Sequence, residues 1–203
     1  MGFYEKHLLP KLLNSIMKDP GMLYLRKKQV PLAIGKVLEI GIGSGLNIPL
    51  YAKDVHVTGV DPSIELQSYA RELASDADID VEFIAVGAEN IPLADNTFDS
   101  AVVTWTLCTI PDPKAALREI KRVLKPEGKL LFVEHGSAPE PEVVKWQDRV
   151  DPIWSAIAGG CHINRRPDEM MVQAGFRFEE IERKYIKGPR IMTFNYRGIA
   201  RPI

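Results

Sequence analysis

Cysteine is scarce in this sequence: Cys108 and Cys161 are the only two among 203 residues. They lie far apart and belong to no CxxC or Cys/His repeat, so their spacing supports neither a disulfide framework nor a zinc cage. No metal is expected, and a reducing cytoplasm suits this usage. An excess of basic charge is also missing, with 26 Lys and Arg against 27 Asp and Glu and a formal net charge of -1. Without a global positive field, nucleic acid is not an expected partner. Long apolar runs are absent too. Between Met1 and Asp19 the run is broken by Lys6, His7, Pro10, Lys11 and Asn14, which argues against a signal segment or a spanning helix. The expectation is a soluble chain, at most peripheral to a membrane.

What is present is enough hydrophobic residue, 45% of the chain, to bury one sizeable core. A single domain over 1–203 is therefore expected. Short β-rich runs alternate with helical periodicity, the pattern of a parallel sheet wrapped by helices, hence an α/β, doubly wound fold. Strands are predicted at Lys36 to Gly41, His56 to Asp61, Val81 to Val86, Ser100 to Trp105 and Lys129 to His135. Helices are predicted at Ser63 to Ala74 and at Pro113 to Lys125, the latter capped by Asp112 and stopped by Pro126-Glu127-Gly128. A longer helix over Glu140 to Ala158, a Gly159-Gly160 break, a short helix from Pro167 and strands near Phe176 to Ile186 and Ile191 to Ala200 complete the pattern. Ahead of the sheet, Leu8, Leu9, Leu12, Leu13, Ile16 and Met17 form a helical stripe. It reads either as a helix packed on the core or as a lid or membrane-resting face. The chain thus divides into a helical lid (1–30), a ligand-binding core (31–135) and a cap with sheet-closing strands (136–203).

The segment Glu39-Ile40-Gly41-Ile42-Gly43-Ser44-Gly45 leads from a buried strand through a glycine turn, where open α/β sheets bind ligands. Asp61, at the end of the second strand, is placed to accept both hydroxyls of a ribose. That geometry serves NAD and S-adenosylmethionine alike. Glu39 separates them: a buried acid calls for a cationic or hydrogen-bonding partner, which the methionyl ammonium of adenosylmethionine supplies, whereas a pyrophosphate on the same turn would be repelled. Leu46 also stands where the third glycine of a dinucleotide fingerprint belongs. The bland alternative for Glu39 is a buried acid with a structural cation.

With Asp61-Pro62-Ser63, Ala88-Glu89-Asn90-Ile91-Pro92, Phe98-Asp99 and Leu117 to Pro126, this loop makes the stretch from Lys36 to His135 resemble class I methyltransferases of the type 11 group. The resemblance implies a Rossmann-like seven-stranded sheet in the order 3-2-1-4-5-7-6 with strand 7 antiparallel. It implies S-adenosyl-L-methionine as cofactor, leaving as S-adenosyl-L-homocysteine. The methionyl part would lie over Gly41, Gly43 and Gly45, the ribose on Asp61 beside Pro62, and the adenine near Gly87, Ala88 and Glu89; Thr104, at the end of the fourth strand, completes the expected cofactor set. Many relatives carry an acid where this chain has Gly87, so adenine recognition would fall to backbone groups and Glu89, which otherwise is a solvated turn acid.

Transfer of a sulfonium methyl is an in-line displacement in which the protein positions the acceptor and excludes water. Acceptor-side candidates are His135 and His162 as base or orienter, and Cys108, Trp146 and Arg165 as substrate contacts; a buried cysteine is otherwise a small hydrophobe and a tryptophan otherwise packs a helix. Trp146-Gln147, Asp151-Pro152-Ile153-Trp154, Gly160-Cys161 and Tyr196 to Ala200 are similar to the methyltransferase-like subgroup whose animal members are alkyl thiol methyltransferases. Those relatives carry a hydrophobic N-terminal anchor, which this sequence lacks. A small-molecule acceptor such as a thiol is implied; an ethanolamine phospholipid or a quinone precursor is the alternative, and a non-catalytic cofactor-binding module or an NAD-dependent oxidoreductase the competing class. About 3% of a free thiol is ionised at pH 7, so deprotonation alone can gain at most about thirtyfold.

Overall fold

The computed structural model describes residues 16–203. Seven strands form one sheet: β1 (Lys36–Ile40), β2 (His56–Val60), β3 (Val81–Ile84), β4 (Phe98–Thr104), β5 (Leu124–His135), β6 (Phe176–Tyr185) and β7 (Phe194–Pro202). Their order is β3-β2-β1-β4-β5-β7-β6, with the first five parallel and β7 antiparallel to both β5 and β6. This is the expected doubly wound arrangement.

Successive residues of the central strands point to opposite faces, and both faces are covered. Leu38, Ile40, Val103 and Phe132 enter one core with Leu117 and Ile120, while Val37, Val57, Val102 and Leu131 enter the other with Ala70 and Ala74. Hence β1, β4 and β5 read as near-continuous apolar runs.

Among the described residues, six α-helices flank the sheet: α1 (Pro20–Gln29), α2 (Ile64–Ala77), α3 (Pro113–Val123), α4 (Pro141–Ile157), α5 (Pro167–Gln173) and α6 (Arg190–Thr193). Their starts follow the sequence closely. Asp19, Ser63 and Asp112 each accept backbone N–H bonds as N-caps, satisfying donors the helix itself leaves open. α4 ends before Gly159 and Gly160, both at positive φ, a conformation glycine adopts without steric cost.

Two expectations need correction. The Pro126-Glu127-Gly128 turn does not precede β5 but interrupts it: Leu124 pairs with Phe98, the chain loops out, and Lys129 resumes opposite Ser100. Ile191 to Thr193 belong to α6, and β7 starts only at Phe194. In the N-terminal segment, Leu8, Leu9, Leu12 and Leu13 lie outside the described residues, while the described helix, α1, begins beyond the predicted stripe. Among the described residues, no helix is long and apolar enough to cross a membrane.

Candidate active site

A cavity of about 570 Å³ opens beyond the carboxyl ends of β1, β4 and β5, a size typical of small-molecule sites. Gly41, Gly43 and Asp61 form one end of it, Thr104, Trp105 and Thr106 its middle, and His135, Trp154 and Cys161 the other end. Ile16, Met17, Met22 and Arg26 close it from the N-terminal side.

The glycines of the turn serve different ends. All three have positive φ. A side chain on Gly41 would run into Thr106, and one on Gly45 would come within 2.8 Å of the Ala70 Cα, so both are required by packing. A side chain on Gly43 would meet nothing nearer than 3.8 Å, an ordinary van der Waals distance. This is the point at which backbone can meet a ligand. The Gly43 N–H donates to Asp61 Oδ2 at 3.0 Å and the Ser63 N–H donates to Oδ1 at 2.8 Å. Burial raises the Asp61 pKa, partly countered by these two bonds. The carboxylate is thereby held in a fixed orientation on the cavity wall.

Glu39 stands near the end of β1. It is buried behind the wall, where Asn47 Nδ2 donates to Oε1 at 2.8 Å and the Tyr51 hydroxyl donates to Oε2 at 2.7 Å. Each oxygen accepts one bond from the protein's own side chains, which offsets part of the cost of burial. Desolvation pushes its pKa up to about 7 against those two bonds. The cation at the wall is Arg26 of α1. Its Nη1 donates to Asn47 Oδ1 at 2.6 Å and to Thr104 Oγ1 at 2.7 Å, and its guanidinium lies 4.9 Å from the Trp105 ring centroid. Its Nε is buried without a hydrogen-bond partner.

At the other end, His135 Nε2 lies 3.3 Å from Cys161 Sγ. Cys108 is 3% exposed, donates its thiol to the Trp105 carbonyl at 3.6 Å, and backs the pair from behind the wall. The Cys108 neighbour, then burial acting in opposition, then His135 combine to hold the Cys161 thiol well below its ordinary pKa. Burial depresses His135, but Cys161 and Glu134 outweigh it and leave its pKa raised. Trp105, at φ 50, is one of three non-glycine residues at positive φ among those described. Its backbone N–H bonds to Val133 O at 2.7 Å and its indole donates to Asn195 Oδ1 at 2.9 Å, holding it there.

Other predicted site residues stand off the wall. His162 Nδ1 pairs with Asp151 Oδ2 at 2.7 Å, and its backbone N–H donates to Cys108 O at 2.9 Å. Arg165 donates from Nη1 to Leu107 O at 2.5 Å and Ile110 O at 2.7 Å, fastening the turn that carries Cys108. Trp146 is 58% exposed under the Arg149 guanidinium; its neighbour Gln147 is the fully buried member of that pair. Pro62, Gly87, Ala88 and Glu89 also lie outside the wall. A Glu89 carboxylate oxygen lies 2.7 Å from where a side chain on Gly87 would begin. Sequence reasoning named Cys161 only within a motif and did not single out Arg26, Asn47, Tyr51 or Asn195. Asn47 and Tyr51 gave a usable signal, two polar residues bracketing an apolar Ile48-Pro49-Leu50 just past a glycine turn; Arg26 gave none, since no motif spacing reaches it.

A family model described as a methyltransferase domain matches residues 38–132. Thiol S-methyltransferase TMT1B of Rattus norvegicus is 35% identical over 150 residues, which make up 72% of this chain and 62% of that protein, so the match spans under two thirds of the relative. The Homo sapiens TMT1B is 32% identical over 197 residues, covering 91% of this chain and 81% of its own. Among solved structures, an S-adenosylmethionine-dependent methyltransferase from Aquifex aeolicus shares the fold with a TM-score of 0.65 at 22% identity, over 96% of this chain and 98% of its own. The glycine turn, the strand order and the near full-length human match agree: the chain belongs to the class I S-adenosylmethionine-dependent methyltransferases, in the group of the thiol S-methyltransferases TMT1A and TMT1B.

Proposed function

We propose that this protein transfers a methyl group from S-adenosylmethionine to a small alkyl thiol. The observation that carries the reading is one continuous cavity with the glycine turn and Asp61 at one end and His135 with Cys161 at the other. The bound cofactor supplies an electrophilic methyl group on its sulfonium. The residues fit it: Gly43 leaves room for close approach, and the Arg26 guanidinium on the cavity wall suits the methionyl carboxylate. The Asp61 oxygens retain lone pairs for the ribose hydroxyls, beyond the bonds they accept from Gly43 and Ser63. Glu89, filling the space that a Gly87 side chain would take, would recognise the adenine edge. Glu39 orients Asn47 and Tyr51 and thereby the loop that follows the turn.

At the acceptor end, Trp154, Ile157 and Met192 offer an apolar wall for an alkyl chain, and His135 and Cys161 receive its sulfur. Residues from Ile16 to Arg26 close the cavity, supporting a lid role for the segment 1–30, with 31–135 as cofactor core and 136–203 as cap. Two free thiols suit a reducing cytoplasm, and the balanced charge argues against nucleic acid as the acceptor. The test is calorimetric binding of S-adenosylmethionine, followed by labelled methyl transfer to alkyl thiols and to phosphatidylethanolamine vesicles. Thiol methylation is expected. Transfer to the lipid alone would replace the acceptor, and absence of cofactor binding would overturn the reading.

A further inference from the structure

We infer that Cys108, His135 and Cys161 form a three-ligand site for a borderline-soft divalent ion, zinc being the representative case, with its fourth position opening into the cavity. The inference rests on the cavity being the thiol-methylating site proposed above. Sequence spacing gave no hint of it, because the three residues come from separate segments: the turn after β4, the end of β5, and the bend after α4. Folding brings their ligand atoms to within 4.8 Å of one another. In a tetrahedral zinc site with Zn–S of about 2.3 Å and Zn–N of about 2.0 Å, neighbouring ligand atoms stand about 3.5–3.8 Å apart. The His135–Cys161 distance of 3.3 Å is already close to that, and the other two, each within 4.8 Å, close to it by a shift of about 1.3 Å at most.

The backbone around the ligands is pinned. The His162 N–H bonds to Cys108 O, Arg165 fastens both Leu107 O and Ile110 O, and Gly159 and Gly160 take the positive φ that returns the chain to His135. His135 and Cys161 are on the cavity wall and Cys108 is behind it, so three ligands approach from the protein side and the remaining vertex faces the cavity. Three protein ligands and one open position are the arrangement of catalytic rather than structural zinc. Two sulfurs and an imidazole favour zinc or cobalt over magnesium or calcium. A second, independent feature points the same way. Glu134 Oε2 is fully buried without a hydrogen bond, and this carboxylate lies within electrostatic reach of all three ligands. A neighbouring dication would compensate it.

Such a site would bind the acceptor as its thiolate. The S–H proton passes to solvent as sulfur bonds to the ion. A sulfur lone pair then forms the bond to the methyl carbon while the sulfonium C–S bond breaks, its electron pair remaining on the cofactor's sulfur. The product thioether is neutral and a weaker ligand, so it leaves. No oxidant or reductant is consumed.

The test is titration of the chelator-treated, reduced full chain with Co2+, then Zn2+. One equivalent of Co2+ should produce thiolate-to-cobalt charge-transfer absorption with tetrahedral ligand-field bands. Zn2+ should abolish them, and ethanethiol should shift them by entering the open position. Cys161→Ser and, separately, His135→Gln should each weaken Co2+ affinity at least tenfold, while circular dichroism and cofactor affinity remain those of the parent. Absence of the bands at stoichiometric metal, or equal binding by a Cys108→Ser/Cys161→Ser double variant, would overturn the site. Metal-free protein that binds cofactor and methylates thiols at the parental rate would overturn the site's role and leave the proposed activity standing; absence of cofactor binding strikes that activity instead.

Discussion

Asp61 accepts two backbone hydrogen bonds, so its orientation is set by the protein alone. Asp61→Ala should weaken S-adenosylmethionine binding by about 1–3 kcal/mol, read by calorimetry; unchanged affinity would remove Asp61 from the ribose site. Arg26→Met should also lower cofactor affinity, with Arg26→Lys recovering it only in part, because lysine supplies a point charge without the guanidinium fork. Glu39 gives a pH prediction. Its folded pKa of about 7 lies above the ordinary 4.5, so between those values the folded chain holds a proton that the unfolded chain has released. The associated stability is fully present below the unfolded value and is lost as pH rises through the folded one, by up to about 3 kcal/mol. Urea unfolding at pH 5 and pH 8 should show the parent losing stability relative to Glu39→Gln over that interval. Parallel behaviour would show that Glu39 does not titrate there. At this scale the sequence was uneven as a guide. Asp61 was legible because a carboxylate at a strand end follows the glycine turn at a familiar spacing. Arg26 and the Cys161–His135 pair were not, because their proximity to the site depends on long-range docking.

The elements were legible where local chemistry decides them. Asp112 and Pro113 announced α3, and the apolar runs of β1, β4 and β5 announced strands covered on both faces. Reading failed where tertiary closure overrides propensity: Ile191 and Thr193 favour strands, yet the chain must reverse between β6 and β7, and a helical turn does it. The cap is tied down by Gln147. Its Oε1 accepts from the Ala138 N–H at 2.9 Å, while Nε2 donates to Gly136 O, Ile163 O and Ile191 O, linking α4 to the end of β5, the bend beyond Cys161 and α6. Gln147→Leu would leave these groups unpaired and should destabilise the protein by at least about 2 kcal/mol. Chemical denaturation checks this; a change below about 0.5 kcal/mol would mean the cap is held by packing alone.

For the whole molecule, α1, the sheet ends and the cap all border one cavity, so ligand binding and global stability should be linked. S-adenosylhomocysteine at 100 times its dissociation constant should add about 2.7 kcal/mol, or roughly 5–11 °C in Tm for a domain of this size. A melt that does not move at saturating ligand would separate the cavity from the folding unit.

The placement of β7 bears on the order in which the protein is made. β7 is the last of the seven described strands, yet it sits between β5 and β6 and pairs with both. The Gln29 side chain of α1 bonds to its Gly198 carbonyl at 2.6 Å. On the ribosome, the helix that carries Arg26 emerges before residues 194–202, and the part of its docking surface that includes the Gly198 carbonyl forms only when they arrive. Until then the β5 edge is open to other chains. A nascent chain stalled before Phe194 would therefore be a natural client for a chaperone, whereas one with residues 194–202 exposed could close both its sheet and its cavity in a single step.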